Sequence, residues 1–173
     1  MRDNKDIIIT KEGNLEGKDC RIGLVVSKFN EFVTSRLTNA ALETLKTQGV
    51  EEDHIETVCV PGAFEIPLVA RYLARSKQYD AVICLGAVIR GETPHFDCIS
   101  AEVSRGIAQA SWDTGIPIIF GVLTTNTSEQ ALERSGESKK NRGADAARTA
   151  IQMATLMKSL QNSGQKPTGF LQP

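Results

Sequence analysis

Four apolar, β-branched runs recur along the chain, at Ile22 to Ser27, Ile55 to Val60, Ala81 to Ile89 and Ile116 to Leu123. Runs of this length suit strands buried on both faces, the pattern of a parallel sheet. Between them, apolar residues return at helical spacing. In Glu31 to Gln48, Val33, Leu37, Ala40, Ala41 and Leu45 share one side, with Asn30 placed to cap the start and Gly49 the end. Ile66, Val69, Tyr72 and Leu73 mark a second helix that ends before Asp80, and Ile99, Val103, Ile107 and Ala110 a third that ends at Gly115. Thr127 and Gln130 have the spacing of a capping box for a short helix through Ala131, Leu132 and Arg134. A polar stretch from Gly136 to Gly143 precedes a long last helix with Ala147, Ile151, Ala154 and Met157 on one face.

This β-α alternation predicts an α/β fold: a three-layer α/β/α sandwich on a four-stranded, parallel, flavodoxin-like sheet with helices on both faces. The expected organisation is an N-terminal arm over 1–20, one α/β domain over 21–162 and a flexible tail over 163–173. Ile7, Ile8 and Ile9 form an isolated apolar triplet, a strand either of the chain's own sheet or of a neighbouring subunit's.

Composition narrows the function classes. A chain of 173 residues that is 40% hydrophobic can bury a core without disulfides or structural metal. Lys plus Arg number 20 and Asp plus Glu 21, so no one-signed field draws the chain to nucleic acid or to a membrane surface. No stretch approaches the ~20 apolar residues of a membrane span, and the start lacks the apolar segment of a secretory signal; the expected compartment is the cytoplasm. Cys20, Cys59, Cys84 and Cys98 are irregularly spaced, without a C-x-x-C pair, and are expected as buried free thiols rather than a metal or redox set. No metal site is expected.

In an open parallel sheet, ligands bind beyond the carboxyl ends of the strands. The first two strands run into Ser27-Lys28-Phe29-Asn30 and Val60-Pro61-Gly62-Ala63-Phe64-Glu65. Phe29 and Phe64 either pack under loops or stack on a flat heterocycle at the mouth. The third strand ends in Gly86-Ala87-Val88-Ile89-Arg90-Gly91-Glu92-Thr93-Pro94-His95-Phe96-Asp97. There Gly91 and the N–H groups after it, just before a helix, can hold an anion, or form an ordinary turn. His95 stands where an imidazole can move a proton near neutral pH, whereas His54, after Glu51-Glu52-Asp53, reads as a solvated loop residue. The fourth strand carries Phe120; Arg134 and Arg142 follow it, and spacing does not choose which of the two binds a phosphate. Glu92 stands where a P-loop needs Lys, no G-x-G-x-x-G follows the first strand and no G-x-S-x-G elbow is present, which argues against triphosphate hydrolysis, a Rossmann site and a serine hydrolase.

Lys28-Phe29-Asn30, Val60 to Pro67, Gly86 to Thr93 with His95-Phe96-Asp97, Gly121 to Thr125, Gln130-Ala131 with Glu133-Arg134, and Asn141-Arg142-Gly143 together resemble the 6,7-dimethyl-8-ribityllumazine synthase family, over about Cys20 to Leu160. The resemblance implies condensation of 5-amino-6-(D-ribitylamino)uracil with 3,4-dihydroxy-2-butanone 4-phosphate in riboflavin biosynthesis, with no metal or organic cofactor. By the same resemblance Phe29 stacks on the pyrimidine, while Ala63, Phe64, Glu65, Ala87, Val88 and Ile89 hold the ring and ribityl chain. Gly91, Glu92 and Thr93 cradle the phosphate with Arg134, and His95 shuttles protons. Phe120 and Arg134 arrive from a neighbouring subunit in a homo-oligomer built from pentamers; Asn30 and Arg142 are further candidates, and riboflavin synthase a candidate partner. Two departures bear on this. Arg142 stands where many family members carry Lys, and Glu137-Ser138-Lys139-Lys140 differs from the small loop of capsid-forming relatives, which leaves assemblies of five, ten or sixty subunits open. The competing readings are a lumazine- or flavin-binding module without turnover, a riboflavin synthase, and a shell protein with a vestigial pocket. His95 and Arg134 together argue against the first, since a binder of an unphosphorylated ring needs neither; the second acts on a substrate without phosphate and leaves the Gly91 to Thr93 pocket and Arg134 unused.

Overall fold

The computed structural model describes residues 9–136 and 140–163. Strands β1 (Ile22–Ser27), β2 (Ile55–Val60), β3 (Ala81–Ile89) and β4 (Ile118–Thr125) alternate with helices α1 (Glu31–Thr47), α2 (Ile66–Arg75), α3 (His95–Thr114), α4 (Ser128–Ser135) and α5 (Arg142–Ser163). The sheet is parallel throughout, in the order β2-β1-β3-β4, with Ile22 of β1 level with both Ile55 and Ala81 and with Ile89 level with Thr125. The expected three-layer sandwich is what forms.

Strand alternation divides the core in two. Ile22, Leu24, Val26, Ile83 and Leu85 pack with Leu37, Ala41 and Leu45 of α1 and Ala147, Ala150, Ile151 and Ala154 of α5. Val25, Val82, Cys84 and Val122 face the other way, against Ile66, Ala70 and Leu73 of α2 and Val103, Ile107 and Ala110 of α3. The central strands β1 and β3 are therefore apolar at nearly every position, because each side chain meets a helix layer whichever way it points.

Several local expectations are corrected. The fourth strand starts at Ile118, not Ile116, and runs on to Thr125: the Ile116 carbonyl accepts a hydrogen bond from the Ser111 hydroxyl at 2.9 Å, which holds it in the connection leaving α3, and Thr124 and Thr125 complete the ladder beside Val88 and Ile89. Tyr72 is 76% exposed, and the buried stripe of α2 is Ile66, Ala70, Leu73 and Ala74. Cys20 and Cys84 are buried free thiols as expected, and desolvation pushes both pKa values up. Cys59 and Cys98 are exposed instead. Cys59 lies on β2, a sheet edge whose residues are covered less than those of β1 and β3, and Cys98 lies in the exposed first turn of α3.

Ile7 and Ile8 of the apolar triplet lie outside the described residues, as do Glu137, Ser138 and Lys139 of the loop and everything after Ser163. Ile9 is exposed. Beyond it the chain is held to the body: the Asn14 N–H donates to Thr155 of α5 at 3.0 Å, the Gly17 N–H to the Gln48 carbonyl at 2.8 Å, and the Lys158 ammonium to the Asp19 carbonyl at 2.6 Å.

Candidate active site

Three loops meet at the carboxyl ends of β1, β2 and β3, and backbone hydrogen bonds fix their approach. The N–H of Lys28 donates to the Val60 carbonyl at 2.8 Å and that of Phe29 to the Pro61 carbonyl at 3.0 Å, so the β1 and β2 loops are joined past the ends of their strands. Asn30 takes left-handed dihedrals (φ 59°, ψ 45°) and makes no side-chain cap. A capping residue needs extended dihedrals for its side chain to reach the first free N–H groups. The Asn30 side-chain amide instead donates to the Ala87 carbonyl at 2.9 Å, tying the β1 loop to the end of β3. The expected cap is thus corrected to a cross-strand tie.

These loops enclose a cavity of about 560 Å³ lined by Phe29, Asn30, Gly62 to Glu65, Ala87 to Ile89, Gly91, Thr93, His95, Phe96 and Ile99. Phe29 is 69% and Phe64 57% exposed. Rings packed under loops would be buried, so the stacking alternative is the one this geometry favours. Glu65 accepts the Gly62 N–H through Oε2 at 2.9 Å, which orients its carboxylate and closes the turn that presents Phe64.

The opposite wall is the turn from β3 into α3. A Cβ added at Gly91 would meet nothing within 4 Å; packing does not demand this glycine, and its absent side chain leaves the backbone bare on the cavity side. Thr93 and His95 line the cavity just beyond it, and His95 is the first residue of the 20-residue helix α3, whose positive dipole end therefore faces the cavity. Glu92 is exposed and is not among the lining residues. The guanidinium of Arg90 spans the turn, donating to both Asp97 oxygens at 3.0 and 2.8 Å and to Asn126 Oδ1 at 3.1 Å, with its carbon 4.2 Å from the centre of the Phe96 ring. These bonds hold the Asp97 carboxyl below its usual 3.8.

Phe120, Arg134 and Arg142 are not brought to this cavity. They line a second one of about 530 Å³ along β4, with Thr124, Asp145 and Thr149. β4 is the sheet edge opposite β2, so the three residues face outward across an open strand edge, and Phe120 is 45% exposed. Buried Asn141 sets the two arginines relative to each other. Its amide donates to the Ser135 and Gly136 carbonyls at 2.8 and 3.0 Å, and its Oδ1 accepts the Gly143 N–H at 2.8 Å, joining the end of α4 to the start of α5. In the first of these helices the Thr127 hydroxyl accepts the Gln130 N–H at 3.3 Å, while the Gln130 side chain turns to the Asn126 N–H at 2.9 Å, so only half of the expected capping box forms.

The sequence pattern does not single out Gly62, Ile99 or Arg90 as site residues. Gly62 lies inside the block from Val60 to Pro67, and Ile99 reads as helix core by its spacing. Arg90 is signalled only by an acidic partner seven positions on, across a turn.

A family model described as 6,7-dimethyl-8-ribityllumazine synthase matches residues 19–158, and the chain belongs to that family.

Proposed function

We propose that the cavity at the ends of β1, β2 and β3 is half of the active site of this member of the 6,7-dimethyl-8-ribityllumazine synthase family, and that a second subunit supplies the other half. The enzyme is a transferase of riboflavin biosynthesis. It condenses 5-amino-6-(D-ribitylamino)uracil with 3,4-dihydroxy-2-butanone 4-phosphate to 6,7-dimethyl-8-ribityllumazine, releasing phosphate and water. The observation that carries the proposal is the division of the candidate residues between two cavities: the exposed rings of Phe29 and Phe64 with Thr93 and His95 in one, Arg134, Arg142 and Phe120 in the other.

In this reading Phe29 stacks on the pyrimidine, and Ala63, Phe64, Glu65, Ala87, Val88 and Ile89 enclose the ring and ribityl chain, with Asn30 holding the two loops together. The amides of Gly91 to Thr93 and the Thr93 hydroxyl take the phosphate at the positive end of α3, with Glu92 outside the wall. Arg134 reaches that phosphate from the adjacent subunit, Arg142 adds charge beside it, and Phe120 closes the heterocycle side. The amine of the uracil attacks the ketone, the resulting carbinolamine loses water to an imine, phosphate departs, and the ribityl-bearing nitrogen closes the ring with loss of water. Each step moves a proton between neighbouring atoms of the two substrates. His95 passes these protons, and the walls hold the reacting atoms in range, so no cofactor is needed.

The family works as an oligomer, and the proposed assembly is a ring of five in which each β4 edge faces the next subunit's cavity; riboflavin synthase, which consumes the product, is the proposed companion. Free thiols at all four cysteines support a reducing, cytoplasmic setting. Among the described residues no helix is long and apolar enough to cross a membrane.

Mixing two disabled variants tests the shared site. Arg134→Ala removes a charged hydrogen bond to phosphate, for which ~1.5–3 kcal/mol corresponds to about a tenfold to 10²-fold loss in kcat/KM. Thr93→Ala with His95→Ala disables the other half. If the two halves come from different chains, joint refolding restores about one site in four by random assembly, seen as lumazine absorbance and released phosphate. Activity that stays at the sum of the separate variants places both halves in one chain and overturns the proposal.

A further inference from the structure

We infer that Arg90 is a positioning residue that straps the phosphate-binding turn, fixing Gly91 to His95 for the butanone phosphate without touching substrate; this rests on the site reading above. Between the last residue of β3 and the first turn of α3 the chain is exposed at Gly91, Glu92, Thr93, Pro94 and His95. Among the described residues, nothing lies near enough to support a side chain at Gly91. A turn containing glycine has the widest backbone freedom, yet this one must present amide groups and an imidazole at fixed positions. The Arg90 N–H, bonded to the Thr125 carbonyl at 2.9 Å, anchors the near end to β4.

Its side chain then closes the turn from the other direction. A planar fork gripping both oxygens of Asp97 fixes direction as well as distance, and the same group lies over Phe96, the residue next to His95. The third attachment, Nε to Asn126, refers the turn to the loop that starts α4. Three attachments from one side chain, on the strand–helix turn, on an aromatic ring of the cavity wall and on the neighbouring loop, leave the guanidinium little freedom to swing. Yet the ion pair is exposed, 42% for Arg90 and 60% for Asp97, and exposed pairs add little to global stability. The work of this arrangement therefore falls on local geometry. Lysine, a point charge on a flexible stem, can satisfy one of these contacts but not all three together.

The test separates the two substrates. In Arg90→Ala, KM for the butanone phosphate should rise about tenfold or more while KM for the aminouracil, held by Phe29 and Phe64 on the other wall, stays within about twofold; methylguanidinium should restore part of the loss, and Arg90→Lys should restore little. A merely structural role would lower the active fraction, hence kcat alone, with both KM values unchanged and no rescue. Asp97→Asn, which keeps the shape but removes the charge, should repeat the pattern if Arg90→Ala fails to assemble, and the double variant should be no worse than the single ones. Unchanged KM for the butanone phosphate in both variants, or an equal rise for both substrates, overturns the strap. Thr93→Ala keeps the outcomes apart: if it too leaves that KM unchanged, it is the phosphate reading of the turn that fails.

Discussion

Replacing His95 by Ala lowers kcat by ~10²–10⁴-fold, the usual worth of a positioned general acid-base, and leaves turnover well above the reaction in free solution. Both halves of that expectation follow from the site. The condensation joins two substrates, and holding them at reacting distance can supply ~7–11 kcal/mol of the barrier. In the proposed site that part falls to the walls, Phe29 and Phe64 on one side and the turn bearing Gly91 and Thr93 on the other, and none of these depends on the imidazole. The first residue of α3 is exposed, so an alanine there should leave the core intact. Single-turnover kinetics with both substrates saturating isolates the chemical step from binding. Complete loss in a correctly assembled variant would sink the proximity-dominated account, because it would make proton transfer rather than orientation the main source of rate.

The largest expected stability change lies far from His95. Gly143→Ala places a Cβ 2.0 Å from the Leu37 carbonyl oxygen and 2.7 Å from its carbon. Alanine is favoured over glycine by ~1 kcal/mol in a helix interior and by less at Gly143, the second residue of α5, so propensity alone predicts a small stabilisation. Sterics reverse the sign, because the obstacle is the backbone of α1 and not the tip of a flexible side chain. Helices α1 and α5 must move apart, opening the layer in which Leu37, Ala41 and Leu45 meet Ala147, Ala150 and Ile151. Overpacking of this kind costs ~3 kcal/mol or more, and for a chain of this size that lowers Tm by about 6–12 °C. Gly23→Ala is the control: its Cβ would meet Leu73 Cδ1 at 3.3 Å and Tyr79 ring carbons at 3.5 and 3.6 Å, the nearest of them the far end of a flexible side chain that can give by tenths of an ångström. Thermal unfolding of the two variants checks the ranking, and equal Tm values would remove the claim that the α1–α5 approach is rigid.

The same close approach bears on the second cavity. Gly143 follows Arg142 at the start of α5, and Asn141 clamps that start to the end of α4, where Arg134 stands. A shift of α5 would therefore move both arginines relative to β4. Gly143→Ala assayed below its Tm should show a raised KM for the phosphate substrate as well as lower stability.

Most of the fold was legible in the sequence because its periodicities are physical. Apolar runs without alternation at β1 and β3 can be satisfied only by helices on both faces, and the connections between parallel strands must then be helical. Gly115 ends α3 with φ 68°, as its position suggested. The errors fall where local pattern competes with a neighbour far along the chain. Asn30 has the chemistry of a cap, but the Ala87 carbonyl, 57 residues away, takes its amide. Cys59 sits in an apolar run, but its strand is an edge. No spacing rule contains either fact.

The site shows the same division. The residue types of the site are legible along the chain: rings at the ends of two strands, a glycine before a helix and a histidine at its first position, arginines after the fourth strand. Resemblance to a family joined them into one reaction. It also implied that Phe120 and Arg134 come from a neighbouring subunit; what only the tertiary structure decided is where these two, and Arg142 with them, stand within one chain. Strand order carries β4 to the edge opposite β2, so Phe120, Arg134 and Arg142 open on a different cavity from Phe29, Phe64 and His95. The physical reason is that hydrophobic periodicity records whether a side chain is buried, a local property. The order of strands in a sheet is set by crossover handedness and by packing summed over the whole chain, and that order alone divides this chemistry between two faces.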